Sequence, residues 1–153
     1  MTVITQIIQN KCLMSVAIAW LLAQIIKVFT GYFRKEDFSI RKFLSGTGGM
    51  PSSHSATVVA LLTSAVTVYG FGGYEAAASL LLATIVMSDA TGVRYETGKQ
   101  AKVINKLVEE LLSGKAKNPQ ENLKELIGHT PFQVFVGALL GLLVALAVCN
   151  LMP

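Results

Sequence analysis

The sequence predicts an all-α polytopic transmembrane bundle of about four spans with a cytoplasmic amphipathic helix. Three observations predict it. Only 14% of the 153 residues are charged and 52% are hydrophobic, whereas a water-soluble domain has about a quarter of its residues charged. Mean hydropathy is +0.55. Four stretches, Cys12–Thr30, Ser55–Phe71, Tyr74–Met87 and Phe132–Leu151, are almost free of charge. A span takes about 20 apolar residues, so the third stretch is short and must use its flanks. The length suits one domain over residues 1–153. The N-terminus does not read as a signal peptide, since Lys11 is its first charge and no small-residue cleavage site follows.

The first span carries Gln24 and Lys27 one helical turn apart, on one face. Gly48-Gly49-Met50-Pro51-Ser52-Ser53-His54 then leads into the second span. The glycines let backbone approach a ligand, Pro51 suits a first helical turn, and the serines can cap it. The free N–H groups of such a turn seat an anion, so Ser52 or Ser53 is expected to present backbone N–H groups to it. His54 stands where it can exchange a proton with that anion.

Phe71-Gly72-Gly73 is a tight turn, which makes spans two and three a helical hairpin. The third span ends in Ser88-Asp89-Ala90-Thr91-Gly92-Val93-Arg94, an acid and a base close together. Thr97-Gly98-Lys99-Gln100 matches a capping box and opens an amphipathic helix to Leu112, suited to an interface or to packing on the bundle. A polar loop over 113–118 and a short helix ending near Gly128 follow. Thr130-Pro131-Phe132-Gln133 is a second capping box that launches the last span, just after His129. Gly137 and Gly141 in that span have GxxxG spacing, which allows close contact within the bundle or between copies in a homo-oligomer.

The placement of positive charge predicts the topology. Lys27, Arg34, Lys35, Arg41 and Lys42 lie at the first connection; Arg94, Lys99, Lys102, Lys106, Lys115, Lys117 and Lys124 lie at the third. The second connection and the C-terminal tail have no Lys or Arg. The positive-inside rule places residues 31–51 and 94–130 in the cytoplasm and both termini outside a bacterial-type plasma membrane. No nucleic-acid motif accompanies the basic residues, so lipid phosphate and the bilayer are the expected partners and nucleic acid is not. Cys12 and Cys149 read as two inert buried thiols or, on the oxidising face, as a disulfide pair.

This topology brings Lys27, His54, Asp89, Arg94 and His129 to one face of the membrane. Taken singly, each has an ordinary explanation. Lys27 can snorkel, the histidines can cap helices, Asp89 and Arg94 can form a structural ion pair, and Gln133 completes a capping box. Taken together, they suit chemistry on phosphate. Lys and Arg hold phosphoryl oxygens, one histidine attacks phosphorus, and the other protonates the leaving oxygen. No metal-ligand spacing is evident, so no metal or other cofactor is expected.

Pro51-Ser52-Ser53-His54 resembles the Pro-Ser-Gly-His element of the type 2 phosphatidic acid phosphatase superfamily. His129 resembles the histidine of its final His-x-x-x-Asp element, and Lys27 and Arg34 have the spacing of its first element, with Lys35 where proline is usual. Gln24-x-x-Lys27, Gly48 to Ala56, Asp89 to Arg94, Gly98-x-Gln100-Ala101, Ile104 to Leu107 and Leu123 to His129 resemble the divergent branch of that superfamily. That branch comprises small membrane proteins related by name to acid phosphatases and vanadium haloperoxidases.

The resemblance implies that His129 is a nucleophile that becomes phosphorylated and His54 the general acid. Lys27, Arg94 and Arg34 would hold phosphate. Gln133 stands at the aspartate position, able to orient an imidazole but not to balance an imidazolium; Asp89 and Glu125 are the acids available for that second task. Tyr95 replaces a second arginine after Arg94, and upstream of His129 the nearby cation is Lys124.

The expected function is metal-independent hydrolysis of a lipid phosphomonoester (a phosphatidate, a phosphatidylglycerophosphate or an isoprenoid phosphate) at the cytoplasmic leaflet. The alternatives are a non-catalytic lipid-phosphate-binding protein, supported by Gln133, and a small transporter, against which the polar residues gather at one mouth. A cysteine placed at Lys117 in a cysteine-free background is expected to be labelled only after the membrane is made permeable. Labelling from outside alone would reverse the topology.

Overall fold

The computed structural model of the protein describes residues 2–33, 49–112 and 129–152. Among them the regular structure is all helical: α1 (Val3–Gln9), α2 (Lys11–Phe33), α3 (Ser53–Tyr69), α4 (Tyr74–Thr91), α5 (Val93–Leu112) and α6 (Pro131–Leu151). Arg34, Lys35, Arg41, Lys42 and Gly48, the 113–118 loop and the short helix with Lys124 and Glu125 lie outside the described residues.

Local chemistry sets the helix ends. Asn10 closes α1 with its N–H on the Ile7 carbonyl at 3.2 Å. Its Oδ1 accepts from the Cys12 and Leu13 N–H groups at 3.0 and 3.1 Å, so the same side chain caps α2. The sequence reading did not anticipate α1. Ser52 caps α3, which stops at Gly70 with φ +78°, a conformation that favours glycine. The third span is longer than its apolar stretch, because the polar residues 88–91 remain helical in α4. The capping box expected at Thr97 does not form. Helix α5 starts four residues earlier, and the Thr97 hydroxyl donates to the Val93 carbonyl inside it at 2.8 Å. The Thr130–Gln133 capping box forms as expected, with Pro131 in the first helical position.

Helices α2 and α6 and the run Tyr74–Val108 are long and apolar enough to cross a membrane; α3 is apolar but has 17 residues. The packing has small residues inside and large ones outside. The core is Ala19, Ala23, Ala56, Ala60, Val144, Ala145 and Val148. Leu21, Leu22, Ile25 and Ile26 on α2, Leu80, Leu81, Leu82 and Ile85 on α4, and Leu139, Leu142, Leu143 and Leu146 on α6 are exposed. Water would penalise that surface; lipid does not, and helices in lipid associate through close packing of small residues.

Helix α3 lies in the centre, packed on α2, α4 and α6. Its contact with α6 is the closest. A methyl group on Gly137 would strike the Ser52 carbonyl, and one on Gly141 would strike the Ala56 carbonyl and stand 3.0 Å from the Ala60 nitrogen. The GxxxG pair is therefore buried within one chain, with α6 running parallel to α3. Lys27 reaches Ser53 and Lys11 reaches the Cys149 carbonyl, so α2 runs antiparallel to both. Cys12 and Cys149 are free and half-buried on these neighbouring helices.

Gly141→Leu is expected to destabilise the bundle by about 1–3 kcal/mol or more, the cost of overpacking a tight contact. Gly72→Ala, with nothing within 4 Å of the added carbon, should leave the melting temperature unchanged. Thermal unfolding in one detergent compares the two.

Candidate active site

Antiparallel α2 against parallel α3 and α6 brings the end of α2 and the starts of α3 and α6 together at one end of the bundle. The α3–α4 hairpin returns the end of α4 to the same place. Lys27, His54, Asp89, Arg94 and His129 are thus gathered by topology.

Positions 49–55 form the floor. Gly49 has φ +80°, and an added Cβ there would lie 3.8 Å from the Lys27 side chain. Thr30 donates to the Met50 carbonyl at 2.9 Å and fixes this loop to α2. Pro51, expected in the first turn of the helix, precedes the cap instead, and α3 begins at Ser53. Ser52 is fully buried. Its hydroxyl accepts from Ser55 N–H at 3.3 Å, and its own N–H donates to the Gln133 carbonyl at 3.1 Å. Ser52 therefore ties α3 to α6 through its N–H. Ser53 accepts from Lys27 Nζ at 3.0 Å. The cap does not use the N–H groups of Ser53 and His54, the first two of the helix.

His54 is exposed and His129 is buried, 4% accessible. Their ring centroids are 6.1 Å apart with the planes tilted by 56°. His129 is held at two points. Its N–H donates to the Ala90 carbonyl at 3.1 Å, which fastens it to the end of α4. Its Nδ1 lies 3.2 Å from Gln133 Oε1. That oxygen also accepts the Thr130 N–H at 3.1 Å, so Gln133 closes the helix cap and orients the imidazole together. An amide oxygen only accepts, so the bond assigns the proton to Nδ1 and leaves the Nε2 lone pair free. Burial pushes the His129 pKa below the ordinary histidine value. The Gln133 bond opposes this, and the charges of Lys27, His54 and Arg94 reinforce it.

Arg94 Nε donates to Asp89 Oδ2 in an ion pair that spans the α4–α5 junction at Gly92. Both side chains are partly exposed, so the pair can be shared with a ligand at little cost. Arg34 lies outside the described residues. Among the described residues, no three His, Cys, Asp or Glu side chains gather as a metal site requires.

Three contributors carried no sequence signal of their role: Thr30, the Ala90 carbonyl and the Gln133 main chain. Gln24 had one, its helical spacing from Lys27. It is 1% exposed, and its Nε2 has no hydrogen-bond partner among the described residues. A buried unpaired amide costs about 1–3 kcal/mol.

A sequence profile described as the Divergent PAP2 family matches residues 8–144. A relative in Bacillus subtilis (strain 168), described as the uncharacterized membrane protein YuiD, is 42% identical over 153 aligned residues, which cover 92% of this chain and 95% of the relative. No solved structure matches. The profile spans most of the chain, over the same helices that gather the two histidines, and the chain belongs to the divergent PAP2 family.

Proposed function

We propose that this protein is a phosphomonoester hydrolase that acts on a membrane lipid phosphate through a phosphohistidine. The observation that carries the reading is the histidine pair, 6.1 Å between centroids, with one ring buried and held at Nδ1 by Gln133. Reacting atoms stand about 3–3.5 Å apart before bond formation, so rings this close can both reach a single phosphoryl group.

In the first step His129 Nε2 attacks phosphorus. The P–N bond forms as the P–O bond to the lipid breaks, and His54 gives its proton to the leaving oxygen. Lys27, Arg94 and the N-terminus of α3 offset the charge on the phosphoryl oxygens. In the second step His54, now neutral, takes a proton from water. The hydroxide oxygen bonds to phosphorus, the P–N bond breaks, and phosphate leaves. His129 carries positive charge between the steps, and Gln133 can orient that ring but supplies no full counter-charge. Asp89, the acid at the end of α4, is paired with Arg94. The substrate approaches from the cytoplasmic leaflet if the basic connections face the cytoplasm.

Purified protein is expected to release phosphate slowly from lipid phosphates without added metal. His54→Ala and His129→Ala should each lower turnover about 10²–10⁴-fold. Gln133→Glu, which preserves the cap and adds charge, should raise it. A second reading, a lipid-phosphate-binding protein without turnover, is favoured by the neutral Gln133. It wins if binding persists, no panel substrate is turned over, and Gln133→Ala only lowers the melting temperature.

The pH dependence has a definite sign. His129 must be neutral to attack, so kcat/KM should fall as pH drops through its lowered pKa, below the ordinary value of about 6.5. The Gln133 bond raises that pKa, so Gln133→Ala should move the acid limb lower still. The chain has two histidines, and an NMR titration of the labelled rings reads the same shift without turnover.

A further inference from the structure

Helix α5 carries two apolar stripes, and one of them is used inside the protein. Gly98 and Ala101 are buried, and Asn105 and Val108 are half-buried, at the spacing of one packed helix face. Val93, Ile104, Leu107 and Leu111 form a second line, 69%, 46%, 52% and 81% exposed. Separations of three, four and five turns from Val93 bring these residues to one azimuth. Lys99, Lys102 and Lys106 are exposed on a third side, with Lys99 paired to Glu96 at 2.8 Å.

The second stripe begins where a lipid-facing surface ends. Leu80, Leu81, Leu82 and Ile85 are exposed on α4, and Gly92 alone separates α4 from α5. Past the polar 88–91 turn Val93 is exposed, and after Glu96, Thr97 and Gln100 on the same side the apolar line resumes at Ile104, on a helix whose far side is basic. A water-facing extension would leave this stripe hydrated at a cost that grows with its area. An interfacial helix buries it to the depth of the headgroup boundary and leaves the lysines at the phosphates.

We propose that α5 lies in the membrane–water interface, with the Val93, Ile104, Leu107 and Leu111 stripe among the lipid acyl chains and the lysines at headgroup level. Arg94, in its first turn, is thereby held at the plane where lipid phosphates lie. The placement of α5 does not depend on turnover at the histidine site.

The test uses the full chain in phosphatidylcholine–phosphatidylglycerol vesicles, with Cys12→Ser and Cys149→Ser as background. Single cysteines replace Leu107, Leu111 or Lys102 and carry an environment-sensitive dye; each protein must keep the parent melting temperature. Dye at 107 and 111 is expected to emit blue-shifted light and to be quenched several-fold more by lipids brominated on their acyl chains than dye at 102. Aqueous iodide should show the reverse order. Equal iodide quenching at all three positions would overturn the proposal. So would protection at 107 and 111 that bromolipids do not quench and that grows with protein density, which would assign the stripe to a second copy. Two stripe positions keep the test open should one variant fail to fold.

Discussion

The contact between α3 and α6 sets the rest of this structure. Gly137 and Gly141 let the backbone of α6 rest on the carbonyls of Ser52 and Ala56, and a side chain at either position would force the helices apart. Two consequences follow. The helices run parallel in register, so His54 and His129 begin them at the same end. The approach is also close enough for the Ser52 N–H to reach the Gln133 carbonyl. Small residues at the contact allow this close backbone approach.

The same packing rule explains the composition of the core. Alanines, serines and glycines line the helix contacts, and the leucines and isoleucines point outward. In lipid there is no gain from hiding a leucine, and dispersion contacts between close backbones hold the bundle. Gln24 is the exception in this small-residue layer, a buried amide one turn from Lys27 whose Nε2 has no partner among the described residues. Apolar packing alone would not select it. Its adjacency to the Lys27–Ser53 contact places the unpaired donor beside the polar end of the bundle.

Gln133 shows how one side chain serves structure and chemistry together. Its oxygen accepts the Thr130 N–H, which completes the helix cap, and the same oxygen lies on His129 Nδ1. Cap and histidine partner appeared as competing explanations in the sequence, because a capping box and a His-x-x-x-Gln spacing occupy the same residues. In space they are compatible, since the helix start turns the histidine back over the first turn.

The sequence by itself determined the membrane class, the approximate apolar helices and the caps at Ser52 and Thr130, and it singled out His54, His129, Lys27, Asp89 and Arg94 as candidates. All of these follow from composition, from local hydrogen-bonding chemistry or from the family resemblance. It misplaced the start of α5 and the turn position of Pro51, because a capping motif scores the same whether the chain before it is helical or not. Tertiary structure alone decided which groups remain free for chemistry. The Ser52 N–H is consumed by the Gln133 carbonyl of α6, remote in sequence, and Ala90 fastens His129 across the bundle. It also decided that the GxxxG pair closes within the chain. Partners brought together by folding leave no trace in local pattern, since a carbonyl or an N–H is present at nearly every residue and only three-dimensional proximity selects which ones meet.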